Sequence, residues 1–175
     1  MCGFIGYITN KNLSNEITIN EKFNYYFEEL KNRGPDFSQK KKLFIGNKLI
    51  NVGFCRLSIQ DLSNEANKIF YDDEFLLLFN GEIYNHKEIR SSIEIDRELE
   101  TSTDTEVLFH FLKKTKFSKL EKLKGIFSIV FFDLKNNLVY CARDVTGTKP
   151  LYYLLNNDGF FFSSEAWFLY SLSQK

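Results

Sequence analysis

Ile126-Phe127-Ser128-Ile129-Val130-Phe131-Phe132 is almost wholly apolar, and a turn at Asn136-Asn137 sends the chain back along Leu138–Ala142. Two runs joined by so short a turn pair antiparallel. A half-solvated antiparallel strand alternates apolar with polar residues, and this one does not. Phe75-Leu76-Leu77-Leu78-Phe79 has the same character. Leu151–Leu155 and Phe160–Phe162 flank Asn157-Asp158-Gly159, a short hairpin signal. Strands that are apolar on both faces must be covered on both faces. The pattern predicts an α+β fold in which two antiparallel sheets pack on each other and helices cover their outer sides.

Working outward, Gly3–Thr9 reads as a first strand. Phe23, Phe27 and Leu30 lie at helical spacing within Asn20–Asn32, and Arg33-Gly34-Pro35-Asp36 ends that helix. Leu43–Ile45 and Lys48–Phe54 form a strand pair across Gly46-Asn47. The strand Phe75–Phe79 is expected to stop at Asn80-Gly81, with a short helix from about His86. Thr103-Asp104-Thr105-Glu106 reads as a capping box, opening a helix with Val107, Leu108, Phe111 and Leu112 on one face.

The chain has 175 residues, enough for one domain (1–175) with a substantial core. Lys+Arg and Asp+Glu number 23 each, so no basic surface for nucleic acid is expected. The 19 Phe and nine Tyr point to an aromatic-rich core. Three cysteines, Cys2, Cys55 and Cys141, fit a reducing cytoplasm rather than a disulfide framework. No apolar run is long enough to span a bilayer, and neither His86 nor His110 has metal-ligand spacing.

Chemistry is concentrated in a few places. Removal of Met1 ahead of the small residues Cys2-Gly3 would leave one residue carrying a thiol and an α-amine. Their ordinary pKa values, about 8.5 and about 7.7–8, let the amine take the thiol proton near neutral pH. Asn80 and Gly81 offer an amide and a backbone N–H to a developing oxyanion; the same pair also reads as a plain strand-ending turn. Arg56, just past a strand, suits a carboxylate or simply the surface. Asp104, in the first turn of a helix, is either macrodipole complement or partner for an ammonium. Arg143-Asp144 with Gly147-Thr148-Lys149-Pro150 forms a dense turn that is either structural or lines an opening.

Met1-Cys2-Gly3, Arg33-Gly34-Pro35-Asp36, Arg56-Leu57-Ser58-Ile59-Gln60-Asp61-Leu62, Asn80-Gly81-Glu82-Ile83-Tyr84-Asn85, Thr103-Asp104-Thr105-Glu106 and Arg143-Asp144…Lys149-Pro150-Leu151-Tyr152-Tyr153, taken in this order, resemble the class II (N-terminal-nucleophile) glutamine amidotransferase domain. They span nearly the whole chain. Arg33-Gly34-Pro35-Asp36 is similar to the asparagine synthetase branch, where the sugar-phosphate aminotransferases usually have Arg-Gly-Tyr-Asp. The chain departs from the family at Phe54-Cys55, usually a histidine and another polar residue, and at Asn67-Lys68-Ile69, usually Gln-Pro and an apolar residue.

The resemblance implies a four-layer αββα sandwich and a glutaminase that works through a cysteine thioester. Cys2 would be the nucleophile and its freed α-amine the base. Asn80 and Gly81 would form the oxyanion hole, Arg56 would hold the α-carboxylate of L-glutamine, Glu82 and Asp104 would take its α-ammonium, and Ile59 would be a further substrate-binding residue. No metal or cofactor is implied for this chain. ATP and magnesium are expected only on a synthetase region, as a separate subunit or a missing C-terminal domain with its Ser-Gly-Gly-x-Asp-Ser loop. The expected role is to supply ammonia to such an amidation. Two other readings stay open: a catalytically degenerate glutamine-binding or scaffolding subunit, and a relative of the same fold acting on another amide.

Overall fold

A computed structural model describes residues 1–11, 13–58, 63–93 and 99–174. In chain order the elements are β1 (Gly3–Asn10), α1 (Glu16–Leu30), β2 (Phe37–Ile45), β3 (Lys48–Arg56), β4 (Phe70–Tyr71), β5 (Phe75–Ile83), α2 (His86–Ser92), α3 (Asp104–Thr115), β6 (Gly125–Asp133), β7 (Leu138–Arg143), β8 (Tyr152–Asn156), β9 (Gly159–Ser163) and α4 (Ala166–Ser173). They fall into two compact units, Met1–Leu57 with Pro150–Lys175, and Ser58–Lys149.

The first unit holds a five-stranded antiparallel sheet in the order β2-β3-β1-β9-β8. Helix α1 buries Ile19, Phe23, Phe27 and Leu30, one stripe at helical spacing. These pack with Ile5, Tyr7, Leu49, Cys55, Phe161 and Phe168. Phe4, Val52 and Phe162, on the sheet's opposite face, are equally buried. Helix α1 begins at Glu16, earlier than the spacing predicts, and α4, which follows Ser163-Ser164-Glu165, carries no clear periodic signal.

The second unit holds a four-stranded antiparallel sheet, β4-β5-β6-β7, with α2 and α3. Helix α3 lays Val107, Leu108, Phe111 and Leu112 against Leu77, Phe79, Ile129 and Phe131. Leu76, Leu78, Val130 and Phe132 on the other face are also buried, so the strands are apolar because both faces leave water. The predicted Thr103 cap is present: its Oγ1 accepts the Glu106 N–H at 3.2 Å. Glu106 reaches back past the cap residue, however, and accepts from Glu100 N–H at 3.0 Å and from Thr101 N–H and Oγ1 at 2.7 Å each.

One expectation is corrected. Asn80-Gly81 does not end β5; the strand continues to Ile83, with Asn80 opposite Ser128 and Gly81 opposite Phe127. Nine consecutive pairings with β6 outweigh the turn preference of an Asn-Gly step. A Cβ on Gly81 would lie 2.2 Å from the Ile126 carbonyl oxygen, so only glycine lets the strands approach here.

Candidate active site

In the first unit the N-terminus is held by two segments. The Leu57 N–H donates to Cys2 Sγ at 3.4 Å, and the thiol in turn faces the Leu57 carbonyl at 3.7 Å. The Met1 ammonium donates to the Arg33 carbonyl at 2.9 Å, and Arg33 Nε donates to the Cys2 carbonyl at 3.2 Å. Arg33 Nη1 is paired with Glu165. Cys55, fully buried on β3, is a different kind of thiol: burial pushes it up to about 12.

Arg56 closes β3 and is only 7% exposed. Its backbone is fixed by the Arg33–Asp36 loop, since the Asp36 N–H donates to the Arg56 carbonyl at 3.1 Å and Pro35 bridges it in parallel. That loop lies so close that a Cβ on Gly34 would meet the Cys55 carbonyl carbon at 2.4 Å. Ile59 lies outside the described residues.

In the second unit, Asn80, Gly81 and Glu82 follow one another near the end of β5, and Asp104, at the start of α3, reaches the same strand end at Ile83. Asn80 is 2% exposed, and its side-chain Nδ2 has no hydrogen-bond partner. The Gly81 N–H follows from the ladder. Phe127 gives its N–H to Asp144 Oδ2 at 3.0 Å and its carbonyl to the Asp144 N–H at 2.9 Å, so both of its backbone groups turn toward the β7 side. Gly81 opposite Phe127 is therefore a non-hydrogen-bonded pair, and its N–H points to the other edge of β5. Strand β4 pairs that edge only at Leu76 and Leu77. Among the described residues, no strand lies beside Gly81 there. Asn80 Nδ2 and, among the described residues, the strand edge that carries the Gly81 N–H are thus available to a developing oxyanion.

Two residues further along the same edge, the Ile83 N–H donates to Asp104 Oδ2 at 2.7 Å. Burial raises the Asp104 pKa, against the Ile83 bond, and neighbouring Glu82 adds to the rise. Two carboxyl groups at the end of one strand suit a cationic group. His86 Nδ1 is engaged with the Ile83 carbonyl at 3.0 Å. Among the described residues no group of three or more His, Cys, Asp or Glu is placed to hold a metal.

The Arg143–Lys149 turn proves to be structural. Asp144 accepts from Thr146 N–H at 3.0 Å, Thr146 Oγ1 at 2.6 Å and Thr148 N–H at 3.1 Å, while Arg143 donates to the carbonyls of Lys149 and Gly147. Arg33 and Glu165 were not singled out as functional by residue type. Their signals are the Arg33-Gly34-Pro35-Asp36 motif and the Ser163-Ser164-Glu165 run, and neither names a role without coordinates.

Comparison with known proteins bears on the family and the fold. The family model of the glutamine amidotransferase domain matches residues 1–174. A glutamine-hydrolysing asparagine synthetase of Bacillus subtilis (strain 168) is 35% identical over 167 residues, covering 94% of this chain and 26% of the relative. A putative asparagine synthetase of Methanocaldococcus jannaschii is 35% identical over 184 residues, covering 94% and 34%. The chain thus spans about a quarter to a third of the length of these curated relatives. The glutamine phosphoribosylpyrophosphate amidotransferase of B. subtilis superposes over 96% of this chain and 43% of its own, with a TM-score of 0.68 at 19% identity. That likeness shows the fold, α+β with two antiparallel sheets and four helices. Among the described residues no helix is long and apolar enough to cross a membrane. On the match along its length, the chain belongs to the glutamine amidotransferase domain family.

Proposed function

We propose that this domain hydrolyses glutamine at Cys2 and releases ammonia for an amidation carried out by an asparagine synthetase-like region, on a longer polypeptide or a partner. The observation that carries this reading is the buried Asn80 Nδ2, which has no hydrogen-bond partner, next to the Gly81 N–H on an edge of β5 that no described strand covers. A buried amide without a partner costs stability, and the family's chemistry gives it a use.

In this mechanism Met1 is removed and the α-amine of Cys2 takes the thiol proton. The thiolate attacks the side-chain carbonyl carbon of glutamine. Charge develops on the carbonyl oxygen and is met by Asn80 and Gly81. The Cys2 ammonium protonates the leaving nitrogen, the C–N bond breaks, and ammonia departs. Water then cleaves the γ-glutamyl thioester, returning the thiol and glutamate. Arg56 takes the substrate α-carboxylate, and Glu82 and Asp104 take the α-ammonium. No cofactor enters these steps. ATP and magnesium belong to the amidation.

The test is a glutaminase assay on protein whose intact mass shows loss of Met1, with Cys2→Ala beside it. Glutamate release by the processed chain and none by Cys2→Ala is the expected result. Equal rates would remove Cys2 from the chemistry.

A further inference from the structure

We propose that Glu165 is the positioning residue of the N-terminal nucleophile, acting through Arg33, the residue that grips the backbone of Met1 and Cys2 together. The inference rests on the reading of Cys2 as nucleophile and adds a residue to it. Arg33 uses its carbonyl to hold the terminal ammonium at 2.9 Å and its Nε to hold the Cys2 carbonyl at 3.2 Å. A guanidinium on a long side chain keeps such an aim only if its far end is fixed as well. Glu165 fixes it by pairing with Nη1.

Glu165 is itself well held. Its N–H donates to Ser163 Oγ at 3.0 Å, and adjacent Ser164 is locked to β1 in both directions: the Phe4 N–H donates to Ser164 Oγ at 3.1 Å, and the Ser164 N–H to the Phe4 carbonyl at 2.8 Å. Residues 163–165 therefore clamp the strand that carries Cys2 and the arginine that aims it. The Glu165 side chain is 44% exposed, and an ion pair so open to water adds little to folding. Its value lies in direction, because small misplacements of a reacting group cost rate steeply.

With Met1 gone, the amine of Cys2 becomes the terminal group, and the Nε bond to the Cys2 carbonyl fixes the residue about which amine and thiol turn. Among the described residues, the charged and titratable groups on the elements packed around Cys2 include Arg33, Glu165, Cys55 and Arg56, with Lys31 and Glu28 acting on Cys55. Replacing Glu165 by a neutral residue leaves Arg33 positive and uncompensated beside the nucleophile. Removing the Arg33 side chain leaves the opposite imbalance.

The experiment uses the processed chain and measures three things: the rate of Cys2 alkylation by iodoacetamide against pH, the glutaminase kcat and KM, and thermal unfolding. In Glu165→Gln the alkylation midpoint should move down by about 0.5–1 pH unit, and in Arg33→Ala it should move up by a similar amount. In Glu165→Gln kcat should fall roughly ten- to hundredfold with KM for glutamine within about twofold. Glu165→Asp, which keeps the charge, should recover most of the midpoint. Midpoints equal to wild type in both neutral variants would overturn the proposal, as would a loss of kcat that merely follows a loss of melting temperature. Should Arg33→Ala not fold, the Glu165→Gln and Glu165→Asp pair decides alone. The alkylation profile is independent of turnover, so a chain in which Cys2→Ala leaves glutamine hydrolysis intact would sink the nucleophile assignment and still report on Glu165.

Discussion

Asn80 and Asp104 are both held at some expense to the fold, and that shapes what their variants should do. Asn80→Ala removes a buried donor that no group answers, so its melting temperature should stay at or above wild type while kcat drops about 10²–10³-fold, the effect of losing one oxyanion donor. A fall in stability with unchanged kcat would make Asn80 a packing residue. For Asp104 the folded pKa is raised, chiefly by burial. Such a group contributes stability that is present below its unfolded pKa and lost as pH rises through the folded value. Asp104→Asn, which keeps an acceptor for the Ile83 N–H, should therefore not destabilise the protein at pH 7. It should raise KM for glutamine about tenfold or more, since an ion-paired hydrogen bond is lost. In the unsubstituted protein KM should begin to climb, on acidification, at a pH above the ordinary carboxylate range. Steady-state kinetics against pH reads this directly.

At the scale of elements, the buried strands were the most legible part of the chain, because an apolar run such as Ile126–Phe132 has no other place to go. The Thr103 cap was legible for the same local reason. Strand β2 was only half visible. It starts at Phe37, but Lys40, Lys41 and Lys42 hide it, being the charges that keep an edge strand from pairing further. The two-residue β4 and the continuation of β5 through Asn80-Gly81 depend on partners distant in sequence, which no local pattern reports. The candidate site was legible as residue types and order; the aim of the Gly81 N–H was not, because it is set by the register of β5 on β6, whose Phe127 is anchored by Asp144.

That dependence supports a further prediction. Burial alone would raise the Asp144 carboxyl, but the hydrogen bonds from Thr146 Oγ1 and from the N–H groups of Phe127, Thr148 and Thr146 hold it well below the usual carboxylate range. Its contribution is present above the unfolded pKa and lost as pH falls through the folded one. Asp144→Asn should cost about 2 kcal/mol at pH 7 and flatten the acid limb of a urea-midpoint profile. Gly81→Ala tests the same ladder from the other strand. Its Cβ meets backbone at 2.2 Å, so overpacking of roughly 1–3 kcal/mol and loss of glutaminase activity should appear together.

Across the whole molecule, each unit carries its own core and neither is spare. Phe161 in one and Phe131 in the other are essentially fully buried, and truncation of either to alanine should cost about 3–5 kcal/mol in denaturant titrations. The phenylalanine abundance read from the composition is thus spent mostly on packing, whereas six of the nine tyrosines, Tyr25, Tyr71, Tyr84, Tyr152, Tyr153 and Tyr170, stand exposed. The balanced charge, with 23 residues of each sign, leaves the fold without a general electrostatic bias.

The seat of the Met1 ammonium on the Arg33 carbonyl has a practical corollary. With Met1 in place the terminus is already anchored, so on the proposed mechanism folding alone does not arm the domain and removal of Met1 does. Overproduction faster than that trimming would give batches of identical shape, identical melting behaviour and unequal turnover, sorted by a difference of one residue in mass.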